Sequence, residues 1–187
     1  MKYLIIGSGF MSCYSFLGHL TQLETQGRLK DLQEISGASA GALTGFTFLV
    51  GRSNLDKLVN YSLTEVDFTK CLKVDIVNLL KKYGMFKAKP IRKMISDFCL
   101  EFTGKDDITF KELYESSNVK LHIPAFSLLK HECEYFSVDA SPHMSVIDAV
   151  CMSISIPIMF EPYKDHLDGA ITEAIPYTPF IQYHRDD

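Results

Sequence analysis

Gly37-Ala38-Ser39-Ala40-Gly41 sets a serine between small residues. A short strand-like run, Asp31 to Ile35, precedes it, and an apolar stretch follows in which Ala42, Leu43, Phe46, Leu49 and Val50 repeat with helical spacing up to Gly51. A strand, a sharp turn and a helix in that order form a nucleophile elbow. Such a turn leaves no room for Cβ atoms at its flanks, so Gly37 and Gly41 let the Ser39 Oγ project where a substrate can reach it. The following helix points its N-terminal amides, and the positive end of its dipole, at the place where a tetrahedral intermediate carries negative charge. The chemistry this points to is serine-based acyl transfer; the bland alternative is a plain small-residue turn.

Length and composition set the bounds. At 187 residues and 47% hydrophobic, the chain reads as one domain, 1–187, with a full core. A net charge of −4 argues against a nucleic-acid partner, because a phosphate-binding surface needs clustered Lys and Arg. Five cysteines without C-x-x-C spacing fit reduced thiols in the cytoplasm better than a disulfide framework. The apolar run from Leu4 stops at Gly7, too short for a secretory signal, and no segment reaches the roughly 18 apolar residues of a membrane span. Membrane contact is therefore expected to be peripheral at most.

Along the chain, strands alternate with helices, which argues for an α/β sheet flanked by helices. Lys2 to Ile6 reads as a buried strand, broken by Gly7-Ser8-Gly9 before a helix carrying Cys13, Phe16, Leu17, Leu20 and Leu23 and ending at Gly27. Helices are expected from Ser53, over Leu72 to Tyr83, and from Pro90, where Ile91, Met94, Ile95, Phe98, Cys99 and Phe102 share one face. Thr109 with Glu112 is a capping box for a short helix through Tyr114, and Ser145 with Asp148 caps a helix through Val150. Val119 to Ser127 and Glu134 to Val138 read as strands joined near Lys130. Phe46, Phe48, Met85 and Phe86 are read as core residues, with an acyl pocket or an interfacial patch as the alternative.

A serine hydroxyl needs a base to take its proton. His166 and His184 follow Ser39 in the order of an α/β-hydrolase triad. However, only one strand and one helix precede the strand feeding Ser39, fewer than that fold supplies. The better candidate is Asp168 in Leu167-Asp168-Gly169-Ala170, where two minimal neighbours let the carboxylate sit at a strand end facing another loop. Taken alone, Asp-Gly is also a common turn signal.

The Gly7-x-Gly9 loop after the first strand, the Gly-Ala-Ser-Ala-Gly elbow and the late Asp-Gly-Ala together resemble the patatin-like phospholipases. The run Ser155-Ile156-Pro157-Ile158-Met159-Phe160-Glu161-Pro162 is similar to the small-x-Ile-Pro segment that precedes their catalytic aspartate. The resemblance implies a three-layer α/β sandwich with a mainly parallel central sheet. It implies a metal-free, cofactor-free Ser39–Asp168 dyad acting on fatty acyl esters of phospholipids and related lipids. Backbone N–H groups of Gly7, Ser8, Gly9, Phe10 and Ala40 would form the oxyanion hole, with Gly37, Gly41, Gly169 and Ala170 as motif positions. The family loop typically carries three glycines, a variable residue, Arg or Lys, then Gly. Here Ser8 and Ser12 replace two glycines, and Met11 replaces the cation.

Two rival readings start from that loop. A dinucleotide fingerprint matches Gly7-x-Gly9 but fails at Ser12, where a third glycine belongs. A non-catalytic lipid-binding or interaction protein could keep the fold with a weakened site.

Overall fold

The Tyr3–Ile6 run forms β1, but at the edge of the sheet: among the described residues it pairs only with β2 (Glu34–Gly37), and of its four residues only Ile6 is buried. The expected buried strand is thus corrected to an edge strand. The computed structural model describes residues 1–183, so His184 and the Asp186-Asp187 pair lie outside the described residues. After a 3₁₀ turn at Phe10–Ser12, α1 (Cys13–Thr25) buries Cys13, Leu17 and Leu20, and Gly27 at φ +68° closes the segment. β2 starts later than the expected Asp31, because the Leu32 N–H turns back to the Leu29 carbonyl at 3.1 Å.

Helix α2 (Ala40–Gly51) is apolar almost all round and almost wholly buried, which makes it the central helix rather than an amphipathic surface one. α3 (Leu55–Thr64) is capped by Asn54, whose side chain accepts the Lys57 N–H, so the helix starts just past the expected Ser53. The expected helix over Leu72 to Tyr83 shrinks to α4 (Ile76–Lys82), capped by Asp75 and preceded by a 3₁₀ turn at Phe68–Cys71. β3 (Gly84–Phe86) follows, then α5 (Ala88–Thr103), with Pro90 in its first turn and Ile91, Ile95, Phe98 and Cys99 buried as the spacing requires.

The Thr109–Glu112 capping box is reciprocal and starts α6 (Phe110–Ser117). β4 (Lys120–Ser127) and β5 (Glu132–Phe136) make the expected hairpin. Ser145 caps α7 (Val146–Ser153), which runs past the expected Val150 end and is buried throughout. β6 (Ile158–Phe160), β7 (His166–Asp168) and α8 (Thr178–Tyr183) complete the order.

The sheet core β1-β2-β4 is parallel, with β5 and β7 added antiparallel to β4, and β3 and β6 form a separate parallel pair. Side chains alternate across the sheet. Ile35 and Leu121 lie under α2 near Gly45, while the opposite face presents His122, which meets the Phe180 ring of α8. Helices thus cover both faces in a three-layer α/β sandwich. Phe46, Phe48 and Phe86 are core residues. Among the described residues no helix is long and apolar enough to cross a membrane.

Candidate active site

Strand β4 brings the two ends of the site together. Its residues 120–122 pair with β2, and 125–127 pair with β7 along the same edge, because β5 occupies the other. β2 runs parallel to β4 and β7 antiparallel, so their C-terminal ends converge on the gap beside Ile123 and Pro124. Ser39 follows one end and Asp168 is the other.

The elbow closes tightly. A Cβ on Gly37 would stand 2.4 Å from the Gly41 carbonyl oxygen, and one on Gly41 would stand 2.1 Å from that of Ile6, so neither position admits a side chain. Ser39 itself sits at φ 55°, ψ −119°, a conformation costing a non-glycine residue about 1–3 kcal/mol. Two contacts hold it there: its N–H donates to the Ser153 Oγ at 3.0 Å, and its Oγ donates to Asp168 Oδ2 at 2.6 Å. Asp168 is fixed in turn, since its Oδ1 accepts the Ala170 N–H at 2.8 Å and its own N–H donates to the Ser155 carbonyl at 2.9 Å. Burial pushes the Asp168 carboxyl above its ordinary range, while the bonds from Ser39 and Ala170 pull it down. A carboxylate so placed is a stronger proton acceptor than one in water.

Both residues are 4% exposed, so Ser39 is not on an open turn. It is reached through an apolar cavity of about 50 Å³ that Phe10, Met11, Leu43, Phe68, Ile154 and Ile156 help to line. A second apolar cavity of about 40 Å³ shares Cys13, Leu43 and Phe68 with the first.

The glycine loop is looser. The Ser8 N–H donates to the Ala174 carbonyl at 2.9 Å and is not free to face a substrate. Among the described residues no acceptor takes the N–H of Gly9, Phe10 or Ala40. Gly9 needs its lack of a side chain for space, since a Cβ would meet Ser12 Cβ at 2.9 Å. Of the histidines weighed as bases, His166 binds the Lys164 carbonyl and Glu134, away from Ser39. His122 is buried against Glu34 at 2.8 Å, and burial lowers its pKa. Among the described residues no group of three or more His, Cys, Asp or Glu side chains is placed to hold a metal ion.

The sequence profile of the patatin-like phospholipases, described as "Patatin-like phospholipase", matches residues 4–181. The chain belongs to this family. A curated relative, the "Probable lipid hydrolase 463L" of Invertebrate iridescent virus 6, is 27% identical over 199 residues, covering 98% of this chain and 64% of its own length. The chain thus spans somewhat less than two thirds of that relative. Among solved structures, VipD from Legionella pneumophila superposes with a TM-score of 0.71 at 18% identity, over 91% of this chain and 46% of its own. The type III effector ExoU of Pseudomonas aeruginosa does so with a TM-score of 0.52 at 14% identity, over 82% of this chain and 40% of its own. At these identities the two structures speak for the patatin fold alone.

Two contributors to this candidate site escape sequence reasoning. Ser153, fully buried at the end of α7, positions Ser39 through its backbone, and two residues later Ser155 does the same for Asp168. The only signal was the Ser-x-Ser spacing just before the Ile156-Pro157 run.

Proposed function

We propose that this protein is a lipid acyl hydrolase of the phospholipase A or esterase type, with Ser39 as nucleophile and Asp168 as general base. The observation that carries the reading is the 2.6 Å hydrogen bond from the Ser39 Oγ to a buried carboxylate oxygen of Asp168. Asp168 Oδ2 takes the hydroxyl proton as Oγ attacks the ester carbonyl carbon, and the carbonyl electrons move to oxygen. The N–H groups of Gly9, Phe10 and Ala40, at the positive end of α2, receive that oxyanion. Collapse expels the lipid alcohol, which leaves with the proton from Asp168. A water, deprotonated by Asp168, then releases the fatty acid from Ser39. The apolar lining from Phe10 to Phe68 receives the acyl chain, and Phe68 forms the shared wall before the second cavity.

The test is a hydrolase screen across acyl chain lengths and head groups with wild type and Ser39→Ala, run with and without EDTA. Hydrolysis that persists in EDTA and vanishes in Ser39→Ala is expected. Equal rates in wild type and Ser39→Ala would overturn the assignment. Folded protein with no hydrolysis of any ester would favour the lipid-binding alternative instead.

A further inference from the structure

Helix α4 is turned the wrong way round for a soluble surface. Its buried residue is Asn78, whose side-chain amide donates to the Gly84 carbonyl at 2.8 Å, while Val77 (59%) and Leu80 (77%) face outward. Ile76, Val77, Leu80 and Tyr83 fall at i, i+1, i+4 and i+7, and all are exposed, as is Val74 just before the helix. Ile158, paired in register with Gly84, extends the patch onto the neighbouring strand and is also exposed. An apolar patch of this kind marks an interaction surface.

Its charge points to one partner. Residues 70–89 carry six lysines against one aspartate, in a chain whose net charge is −4. Lys82 pairs with Glu161 and Lys87 with Asp75, but Lys73, Lys81 and Lys89 have no ion-pair partner among the described residues. An exposed apolar helix face flanked by unpaired cations matches an interfacial helix seated on an anionic bilayer. The patch also adjoins the entrance to the nucleophile: Phe68 and Leu72, immediately before it, line the Ser39 cavity together with Phe10 and Met11, which are themselves exposed.

We infer that α4 and the Val74–Lys89 segment dock this protein on an anionic lipid surface, with the Ser39 cavity opening beside the contact. Apolar side chains enter the acyl boundary and the lysines meet phosphate and carboxylate head groups. This goes beyond the catalytic reading and does not depend on turnover. It is therefore tested with Ser39→Ala protein, which leaves the vesicles intact whatever Ser39 does. Flotation with phosphatidylcholine vesicles, with and without phosphatidylserine, is expected to show binding only when phosphatidylserine is present, weakening as salt rises. Val77→Ser with Leu80→Ser, and separately Lys73→Glu with Lys81→Glu, are each expected to weaken binding about tenfold or more. Because these side chains are exposed, the variants are expected to keep the wild-type circular dichroism and, with Ser39 present, the wild-type rate on a soluble p-nitrophenyl ester. No flotation, or flotation unchanged in both folded variants, would overturn the inference. So would concentration-dependent dimerisation abolished by the Leu80 variant without vesicle binding, which would assign the face to a second copy.

Discussion

The polar groups of Ser39 and Asp168 are held on several sides: Ser153 takes the Ser39 N–H, Ser155 the N–H of Asp168, and the Ala170 N–H one oxygen of its carboxylate. The Gly7–Ser12 loop, whose Phe10 and Met11 line the same cavity as Ser39, is tethered far less. Its Ser8 N–H goes to Ala174 and its Ser12 N–H back to Gly9, while Phe10 and Met11 stay 45% and 44% exposed. In the proposed mechanism the proton acceptor thus already contacts the Ser39 hydroxyl in the resting protein. The proposed oxyanion donors Gly9 and Phe10 lie in this more loosely held loop. Electrostatic preorganisation is usually the largest catalytic contribution, so under the proposed mechanism the loop is where a substitution is expected to raise the rate.

The sharpest way to break the comparison is to disable the arranged side. Asp168→Asn keeps the volume and the Ala170 contact but cannot accept a proton, and kcat is expected to fall roughly 10²–10⁴-fold in ester hydrolysis assays. His166→Gln is expected to leave kcat within about twofold, its ring being committed to Glu134 and the Lys164 carbonyl. Because burial raises the Asp168 carboxyl, the acid limb of the wild-type rate profile is expected above the ordinary Asp value of about 3.9.

A smaller effect is expected one contact further out. Ser153→Ala leaves the buried Ser39 N–H without an acceptor and frees the strained elbow to relax. Steady-state kinetics are expected to show kcat lower by about tenfold with KM little changed, and denaturant unfolding a loss of about 1–3 kcal/mol. Loss of KM alone would mean that the contact shapes binding rather than the nucleophile.

The loop is probed in the opposite sense. Met11→Arg returns a cation to the exposed position where the family typically has one, and kcat/KM is expected to rise by a few-fold at low ionic strength, with the gain fading as salt is added. Ser8→Gly is expected to change little, since its N–H is already engaged by Ala174. A large gain from Ser8→Gly would mean that the loop rearranges before catalysis.

The least visible effect is on stability. With the folded pKa of Asp168 raised, its protonated form contributes stability below the unfolded pKa, and that contribution is lost as pH rises through the folded value. The ionised carboxylate is therefore a cost at neutral pH. Asp168→Asn is expected to melt higher than wild type at pH 7, with the difference closing as pH falls, as read by thermal unfolding across pH. A variant less stable at neutral pH would mean that the Ser39 and Ala170 contacts outweigh burial.

Legibility in the sequence followed the range of the interactions. The elbow, the Thr109–Glu112 capping box, the Ser145 cap and the buried face of α5 are set by neighbours within a few residues, and each stands where the spacing puts it. β3, β6 and β7 have three residues each, too few to show alternation, and exist because distant segments pair with them. The edge position of β1 was hidden for the same reason: Leu4, Ile5 and Ile6 are apolar in a parallel strand whether one neighbour is present or two. The site divides likewise. Ser39 and Asp168 carry small-residue signatures, whereas Ser153 acts only through a contact 114 positions away in the chain. The outward apolar face of α4 was invisible because periodicity marks a stripe without saying whether the core or the surroundings receive it.

The most direct measurement is the rate at which a fluorophosphonate labels the protein, followed by intact mass and peptide mapping, in wild type, Ser39→Ala and Asp168→Asn. One adduct on Ser39 in wild type, none in Ser39→Ala, and labelling slowed at least about 10²-fold in folded Asp168→Asn is the expected result. Labelling of Asp168→Asn at the wild-type rate, or an adduct on any other residue, would contradict a serine activated by this aspartate.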